Sequence, residues 1–555
     1  MPVAREPRDE MANRERKNLP ASGQPAPREN ETERLLRLID RLNGIGIALS
    51  RESDDDRLLD RILDGARELT EADGGTLYLK DDRDRLHFTR VQNDSLGLRL
   101  GGAQGPEVGF PPIPLHRPDG RPNHTNVAAF VALEGRTINI PDAYAAAGFD
   151  FEGTRLFDRA HGYRTRSILT IPLHNHEREV IGVLQLVNAR REGEKVPFSR
   201  MARRLAESLA SQAAVFLSQR QLIRAQKELF EAFIQVLAKA IDRKSKHTSG
   251  HCQRVPELTL MLAEAAHQAS EGPLAEFRMT PEERYELEIA SWMHDCGKVT
   301  TPEHIIDKAT KLEAHFDRIE LVDHRIEILR RDRIIQALAD ERPPGTLAQA
   351  LDELEHWRER LHRCNRGTEF MPDEEQAWVK EVATQAAWVD ATGRERPLLT
   401  KDEVRNLTIP RGTLTDEERQ QVRDHILATI EMLESLPYPR YLQRVPALAG
   451  AHHERIDGKG YPRGLQGEDF LPGARMMAIA DVFEALTAPD RPYKKPMPLS
   501  QALEILGRMT LEGHFDPDLF DLFIRRGLYL DYARRHLLPE QIDEVDLAAI
   551  PGYQP

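Results

Sequence analysis

A change in the spacing of the hydrophobic residues divides this sequence into two kinds of structure. In the first part, short apolar runs flank polar turns, as in "GGTLYLKDDRDRLHFTRVQND" and "RSILTIPLHNHEREVIGVLQLVNA". This pattern predicts strands paired through hairpins. From about residue 199 to 241 the apolar residues recur at helical spacing without a break, and helical spacing continues to about residue 550. The sequence therefore predicts a multidomain α+β chain, in which an α/β domain with an antiparallel sheet is joined by a long helix to an all-α domain.

The same patterns give approximate domain boundaries. Residues 1–32 are rich in Pro, Arg and Glu and poor in apolar residues. We expect a disordered tail there, because such a segment buries too little surface to offset its ordering entropy. The α/β domain is predicted over residues 33–220, the linker helix over 199–241 and the helical domain over 225–550. Within the helical domain, residues of about 316–410 are predicted to form a helical insertion.

The composition of the 555-residue chain argues against several classes of protein. Its net charge of −14 is the opposite of the basic surface that a dedicated DNA-binding protein carries. Three widely spaced cysteines form neither a disulfide framework nor a zinc motif, which fits a reducing compartment. We find no apolar run of about 18 residues and no signal sequence, so we expect a cytoplasmic protein without a membrane span.

The long helix between the two domains carries an apolar stripe. Its members are Leu205, Leu209, Phe216, Leu222, Leu229, Phe233 and Val236. A long helix that connects two domains often pairs with the same helix of a second copy. We therefore expect a homodimer through the N-terminal domain and this helix. The alternative is a helix that packs only within its own chain.

Histidines and aspartates occur in five separated segments of the helical half. They are "HTSGH" (His247, His251), "HDCGK" (His294, Asp295, Lys298), "RDHILAT" (His425), "AHHE" (His452, His453) and "IADVFEALT" (Asp481). Adjacent side chains on a helix point about 100° apart, so one helix face does not need both His452 and His453. Both rings can reach one metal ion if the helix ends there, and the following "IDGKGYP" supplies such an end.

The surroundings of Asp481 point to a bound cation. This residue lies within the apolar run "MMAIADVFEAL", where an unpaired carboxylate would cost several kcal/mol. Imidazole nitrogens together with carboxylate oxygens suit Fe, Mn or Zn. Two such ions about 3.5–4 Å apart, bridged by one aspartate, form a clamp for phosphoester hydrolysis. The residues thus predict a metal-dependent phosphohydrolase.

Three motifs resemble, in sequence and in order, those of the HD-GYP subclass of the HD phosphohydrolases. They are "HDCGK", then "HHERIDGKGYPRGL", then "ADVFEALTAPDRPYKK". The resemblance implies an all-helical domain that holds two or three metal ions, most often iron or manganese. It also implies hydrolysis of the second messenger cyclic di-GMP to linear pGpG or GMP in bacterial signal transduction.

The resemblance also assigns metal ligands. The first ion would be held by His251, His294, Asp295 and Asp481, and the second by Asp295, His425, His452 and His453. Asp295 would bridge the two ions, and Lys298 would act beside it as a second catalytic residue.

The resemblance also indicates which residues would contact the substrate. Gly460, Tyr461 and Pro462 would form the lip of the site. Arg491 and Lys494 would contact the substrate phosphate, since a phosphodiester needs positive charge around it.

The sequence departs from the family pattern at several positions. His247 stands where members with three ions carry a glutamate, so a third ion is an alternative to two. Glu484 replaces the more usual aspartate three residues after Asp481. The stretch from His294 to His425 is much longer than in the family, which places the insertion there.

The insertion also carries a competing histidine for the second metal. His324, in "KLEAHFDRIELVDHRIEIL", is an alternative to His425. We assign His425, because "RGTLTDEERQQVRDH" matches the family better and His452 follows at about the usual distance.

Two segments of the first domain resemble the GAF family: "ALEGRTINIPDAYAAAGFDFEG" and "IPLHNHEREVIGVLQLVNA". The resemblance implies a sensor domain for a small molecule that the sequence does not identify. Asn188 and Phe198 match the signature of cyclic-nucleotide-binding members, but Ala189 replaces its lysine, and the acidic positions are also lost. The alternative is a structural or dimerising domain without a ligand.

These observations lead us to expect a metal-dependent cyclic di-GMP phosphodiesterase regulated by a GAF domain. One alternative is an HD phosphohydrolase that acts on another nucleotide. The other is a non-catalytic protein that binds a nucleotide and signals by interaction. The complete ligand set argues against the second alternative, because the loss of a single ligand would inactivate such a site.

Overall fold

The computed structural model describes residues 31–102, 105–244, 250–340, 344–367, 370–488 and 496–553. The chain divides into two compact units, Met1–Lys227 and Glu228–Pro555. Residues 1–30 of the predicted tail lie outside the described residues, and the first helix begins at Glu31.

The first unit consists of an antiparallel sheet with helices on both sides. Its helices are α1 (Glu31–Arg51), α2 (Asp55–Thr70), α3 (Val127–Glu134) and α4 (Glu152–His161). Its strands are β1 (Ala72–Lys80), β2 (Arg85–Asn93), β3 (Leu98–Leu100), β4 (Ile113–Pro114), β5 (Ile138–Ile140), β6 (Ile168–His174), β7 (Val180–Arg191) and β8 (Glu194–Val196). The predicted α/β class with an antiparallel sheet is confirmed.

The order of the strands explains how the two faces of this sheet are covered. The path through the sheet is β3-β2-β1-β7-β6-β5, with β4 paired to β2 and β8 paired to β7, and every pairing is antiparallel. One face packs against α1, α2 and the first part of the long helix in a core that includes Leu63, Leu184 and Leu209. The other face packs against α3 and the segments around it.

The long helix α5 spans Arg200–Lys244, close to its predicted range. The Oγ atom of Ser199 accepts a hydrogen bond from the N–H of Ala202 at 3.1 Å, which caps the first turn. The predicted apolar stripe does not form one uniform surface. Leu205 and Leu209 are buried in the core of the first unit, whereas Leu222, Leu229, Phe233 and Val236 are each more than half exposed.

The second unit is mostly helical. Before the insertion it contains α6 (His251–His267), α7 (Pro281–Met293) and α8 (Glu303–Ile306). After the insertion it contains α13 (Asp416–Arg423), α14 (His425–Glu434), α15 (Val445–Ala449), α16 (Pro472–Thr487), α17 (Leu499–Leu511), α18 (Pro517–Arg525) and α19 (Leu528–His536). One hydrophobic core unites these helices, and Ile234 of α5 contributes to it.

The insertion has a hydrophobic core of its own, built from residues between Leu312 and Leu407. It contains α9 (Ile319–Ala339), α10 (Pro344–Asn365), α11 (Asp373–Gln385), β9 (Ala387–Val389), β10 (Glu395–Pro397) and α12 (Lys401–Leu407). The insertion is mainly helical, as predicted, and it also contains the short β9–β10 hairpin. Its turn depends on Gly393 in the left-handed region (φ +80°) and on the N–H of Asp390, which donates to the carbonyl of Arg394 at 2.9 Å.

The two ends of the insertion meet at a neck, which we define as residues 308–311 together with 406–418. The buried Nζ of Lys308 lies 2.8 Å from both carboxylate oxygens of Glu418 and 3.0 Å from Oδ1 of Asn406. The buried Nζ of Lys311 donates to the carbonyls of Leu407 (3.1 Å) and Ile409 (2.7 Å). Charge-assisted bonds of this kind are shorter and stronger than neutral ones, so they hold the neck closed.

In the part of the chain that the structure describes, no helix combines the length and the apolar composition that a membrane span requires.

Candidate metal centre

Helix ends and turns of the second unit position most of the predicted ligands. His251 and His425 are the first residues of α6 and α14, and His294 and Asp295 directly follow α7. A side chain at a helix end can approach neighbouring helices because the chain changes direction there. The structure brings these residues together with His452, His453 and Asp481, which lie in the turn after α15 and within α16.

The potential ligands form two groups. Ligand atoms of His251, His294 and Asp295 lie within 4.8 Å of one another. Those of His425, His452 and His453 also lie within 4.8 Å of one another. Each group consists of residues that the sequence analysis assigned to the same ion.

Asp295 joins the two groups. Its Oδ2 atom lies 3.3 Å from Nε2 of His251 and 3.2 Å from Nε2 of His294. Its Oδ1 atom lies 3.3 Å from Nε2 of His425 and 4.0 Å from Nε2 of His452. One carboxylate therefore offers one oxygen to each group, which is the arrangement that a bridging ligand requires.

Asp481 belongs to the first group. Its Oδ1 atom lies 3.3 Å from Nε2 of His251 and 3.9 Å from Nε2 of His294. The carboxylate inside the apolar run thus meets imidazoles, as the cost of burying it alone demands.

Backbone carbonyls fix the orientation of three of the imidazoles. The Nδ1 atoms of His294 and His452 lie 2.7 Å from the carbonyl oxygens of Ser291 and Ala449, respectively. His425 makes the same contact with a carbonyl three residues before it. When Nδ1–H donates to a carbonyl, Nε2 carries the lone pair that binds a metal.

Several atoms of the centre have no hydrogen-bond partner among the described residues. They are Oδ1 of Asp295 and the Nε2 atoms of His425 and His452, all of them buried. Buried polar atoms are normally paired, so these three atoms indicate an absent partner. Nitrogen and oxygen donors of this kind fit a divalent transition-metal ion.

Burial keeps the second group in the form that binds a metal. Burial, together with the neighbouring His453, holds the pKa of His452 well below its ordinary value. Burial also lowers the pKa of His453 to about 4. Both imidazoles are therefore neutral at physiological pH, which is the ligating state.

Lys298 keeps the carboxylate of Asp295 ionised. Its Nζ atom lies 2.5 Å from Oδ2 of Asp295. Burial by itself would raise the pKa of Asp295, but Lys298 and His294 outweigh it and hold this pKa well below its ordinary value. The pKa of Lys298 is raised in turn, because Asp295 outweighs the opposing effect of burial.

Close backbone contacts explain why the "HDCGK" motif has glycine at position 297. A Cβ atom at this position would lie 1.9 Å from the carbonyl oxygen of His425 and 2.5 Å from the backbone nitrogen of Thr429. The motif therefore needs glycine to bring Asp295 and Lys298 against the start of α14.

The lip of the site covers the second group. The Tyr461–Pro462 peptide bond is cis, and the ring centroids of Tyr461 and His453 lie 4.9 Å apart. Gly460 lies so close to the backbone that a Cβ atom there would come within 2.4 Å of the nitrogen of Arg455. The guanidinium carbon of Arg423, which the sequence analysis did not single out, lies 5.4 Å from the centroid of Tyr461.

The remaining predicted site residues are not part of the described cluster. His247, Arg491 and Lys494 lie outside the described residues. His324 lies in α9 of the insertion, is exposed and has its Nδ1 atom 2.6 Å from the carbonyl oxygen of Glu320. The structure thus places His425, and not His324, beside His452 and His453.

The role of Glu484 and of its partner Arg254 was not predicted from the sequence. The carboxylate of Glu484 accepts a hydrogen bond from Nε of Arg254 at 2.7 Å and also contacts Nδ1 of His251. Arg254 lies one helical turn after His251 on α6, and Glu484 lies one turn after Asp481 on α16. The position of Glu484 in the apolar run "MMAIADVFEAL" could have indicated a cationic partner, because a buried carboxylate needs one.

We expect the substitution Glu484→Gln to weaken binding of the first metal ion by about 10–100-fold, because a carboxylate that orients a ligating histidine contributes that much. Chelator competition, followed ion by ion, measures the effect. The exposed Glu282→Gln in α7 is the matched control and should bind both ions normally. Unchanged affinity for both ions in Glu484→Gln would contradict the role given to Glu484.

Comparison with known protein families identifies two domains. Residues 54–217 match the family model of the GAF domain, and residues 376–519 match that of the HD domain. The chain therefore contains a GAF domain followed by an HD domain, as predicted. The HD match begins inside the insertion and includes His425, His452, His453 and Asp481.

Curated relatives match over parts of their length. The chain is 39% identical to the 3'3'-cGAMP-specific phosphodiesterase 3 of Vibrio cholerae over 109 residues, which are 20% of this chain and 23% of the relative. It is 32% identical to the cyclic di-GMP phosphodiesterase response regulator RpfG of Xanthomonas campestris over 207 residues, or 33% of this chain and 52% of the relative. Across eight such relatives, the chain spans from 18% to 52% of their length.

Two solved structures are similar to part of the chain. The GAF domain of an Acinetobacter phosphoenolpyruvate-protein phosphotransferase is 18% identical, with a TM-score of 0.26, and the match covers 34% of this chain and 98% of that structure. A GAF domain/HD domain protein from Geobacter sulfurreducens is 17% identical, with a TM-score of 0.22, and the match covers 33% of this chain and 98% of that structure.

Proposed function

We propose that this chain, in which a GAF domain precedes an HD domain, is a metal-dependent phosphodiesterase of the HD-GYP type that hydrolyses cyclic di-GMP to pGpG or GMP. The observation that carries the proposal is the position of Asp295, whose two carboxylate oxygens lie between two groups of buried imidazoles. The partial matches to cyclic di-GMP phosphodiesterases support the same reaction.

The donor set fits two divalent ions, for which we propose iron or manganese. His251, His294, Asp295 and Asp481 would hold the first ion, and Asp295, His425, His452 and His453 the second. When bound, two such ions supply Lewis acidity and lower the pKa of water. The case for a third ion rests on His247, which lies outside the described residues.

The chain's own residues prepare the site for this chemistry. Lys298 keeps Asp295 ionised and places a positive charge where the phosphate must bind. The imidazoles of His251, His294, His425 and His452 are buried, and the half-buried lip residues lie beside His453. We propose that Tyr461 and Arg423 offer a stacking surface for a guanine base, and that Arg491 and Lys494 contact the phosphates.

A second candidate substrate is 3'3'-cGAMP. The relative with 39% identity over 109 residues is named as a phosphodiesterase specific for that molecule. 3'3'-cGAMP shares the cyclic dinucleotide backbone with cyclic di-GMP but carries one adenine in place of a guanine. The same metal centre could therefore hydrolyse both molecules.

The experiment that tests the proposal combines metal analysis with turnover. The full-length protein, purified without oxygen, is assayed with cyclic di-GMP, 3'3'-cGAMP, pGpG and bis(p-nitrophenyl) phosphate. We expect two metal ions per chain and a kcat/KM for cyclic di-GMP at least about tenfold above that for the simple diester, because each 1.4 kcal/mol of specific contact is tenfold. Equal turnover of both would support a generic phosphohydrolase. Full metal content without turnover of any substrate would support a non-catalytic binding protein.

We also propose a homodimer through α5. Val215, Leu222, Leu229 and Val236 follow each other at seven-residue intervals along this helix, and each is more than half exposed. A seven-residue apolar repeat is the pattern of a coiled coil, in which a second copy covers the exposed side chains. A dimer would connect the state of the GAF domain to the helix that leads to His251.

The double substitution Leu229→Glu and Val236→Glu should convert the dimer to a monomer, because like charges would then face each other across the seam. Multi-angle light scattering gives the molar mass directly. Gln235→Glu adds one negative charge at an exposed neighbouring position outside the seven-residue repeat and should leave the dimer intact. A monomeric parent protein, or a dimer that survives the double substitution, would refute this interface.

Cytoplasmic location is part of the proposal. The three cysteines are all buried and unpaired, which is the state expected in a reducing compartment.

A further inference from the structure

A cavity of about 630 Å3 lies in the GAF domain, where strands of the sheet meet α3 and the N-terminal part of α4. Aromatic side chains make up much of its wall: Tyr78, Phe88, Phe110, Phe151, Phe157 and Tyr163. Rings of this kind hold a planar ligand by offset stacking and edge contacts. The size falls in the range of small-molecule sites.

The wall of this cavity carries almost no charge. Among its described lining residues, Asp150 is the one acidic side chain, and no lysine, arginine or histidine is present. An anionic ligand would therefore lose its water without gaining a cation and would lie near a carboxylate. Burial of an unpaired charge is strongly unfavourable, so the wall selects an uncharged ligand.

Amide side chains supply directed polar contacts. The side-chain oxygen of Gln92 accepts a hydrogen bond from Arg67 at 2.8 Å, and that of Asn126 accepts one from the N–H of Ala129 at 3.1 Å. Because both oxygens already accept these bonds, the NH2 group is the part of each amide that can donate to a ligand. These NH2 groups can donate hydrogen bonds to ring nitrogens or carbonyl oxygens of a ligand.

Asn188 does not line the cavity, but it holds a lining residue in position. Its side-chain oxygen accepts hydrogen bonds from the N–H groups of Arg166 (2.6 Å) and Ser167 (3.2 Å), and its NH2 group donates to the hydroxyl of Tyr163 at 2.7 Å. The hydroxyl of Tyr163 donates in turn to Asp73 at 2.6 Å. The asparagine that matches the cyclic-nucleotide signature therefore positions an aromatic wall residue here.

We propose that this cavity binds an uncharged, planar heteroaromatic molecule that carries hydrogen-bond acceptors, and that it rejects phosphate-bearing ligands, including cyclic nucleotides. The binding itself does not depend on hydrolysis. Only the consequence for activity rests on the proposed phosphodiesterase function.

Two pairs of probes that differ in charge test the proposal. Guanosine is compared with guanosine 3',5'-cyclic monophosphate, and riboflavin with flavin mononucleotide, by calorimetric titration of the full-length protein. We expect at least one neutral member to bind with a dissociation constant below about 1 mM and at least about tenfold more tightly than its phosphorylated counterpart. Binding of neither neutral probe, or equal or tighter binding of the phosphorylated ones, would overturn the proposal.

Two neighbouring residues of α4 provide a matched pair of variants. Phe157 lines the cavity, whereas Leu156 is 55% exposed and does not line it. Phe157→Ala should weaken binding of the neutral probe by about tenfold, the usual effect of removing a stacking ring, and Leu156→Ala should leave it unchanged. Equal affinity in both variants would place the ligand elsewhere. Metal content and cyclic di-GMP turnover, measured on the same samples, report failure of the phosphodiesterase proposal separately.

Discussion

Replacement of Asp295 by alanine is expected to remove both metal ions and to reduce hydrolysis by about a thousandfold or more. Among the described residues, only Asp295 has carboxylate oxygens within 4.0 Å of imidazole nitrogens in both groups. A metal centre supplies several kcal/mol of transition-state stabilisation, and each 1.36 kcal/mol corresponds to a factor of ten in rate. Metal analysis by mass spectrometry and turnover of cyclic di-GMP measure the two losses.

A control separates loss of metal from loss of fold. Asp332 is exposed on α9, so Asp332→Ala should keep full metal content and activity. Far-ultraviolet circular dichroism should show the same helical content in both variants. If Asp295→Ala kept its metal and its activity, a centre bridged by this residue would be ruled out.

Replacement of His425 by alanine should remove one of the two ions and reduce hydrolysis by a similar factor. Its Nε2 atom is buried, lacks a hydrogen-bond partner among the described residues and lies 3.3 Å from Oδ1 of Asp295. His324→Ala is the natural comparison, because this exposed histidine was the competing candidate in the sequence. It should change neither metal stoichiometry nor turnover. The reverse result would move the second ion into the insertion.

The parts of the site that sequence reasoning could predict are those that local chemistry determines. The adjacent pair His452 and His453 required a break in the helix, and α15 ends at Ala449, just before them. The buried position of Asp481 required a cationic or metal partner, and it lies beside two imidazoles. Both inferences needed only a few neighbouring residues.

Other features depend on contacts between distant parts of the chain. The bond between Arg254 and Glu484 joins residues 230 positions apart, and no local pattern pairs them. The β9–β10 hairpin has strands of three residues each, which is too short for the alternation that marks a strand. The stripe on α5 was read as one surface, although Leu205 is buried and Leu229 is exposed, because the sequence does not show where the packing of a domain stops.

The closed neck of the insertion has a consequence for how this protein could have evolved. The insertion separates the segment with His294 from the segment with His425, yet Lys308 and Glu418 hold its two ends within hydrogen-bond distance. Insertions are tolerated where the ends of the added piece lie close together and the piece has its own core. The insertion could therefore be gained, exchanged or lost as one unit without a change in the arrangement of the candidate metal ligands.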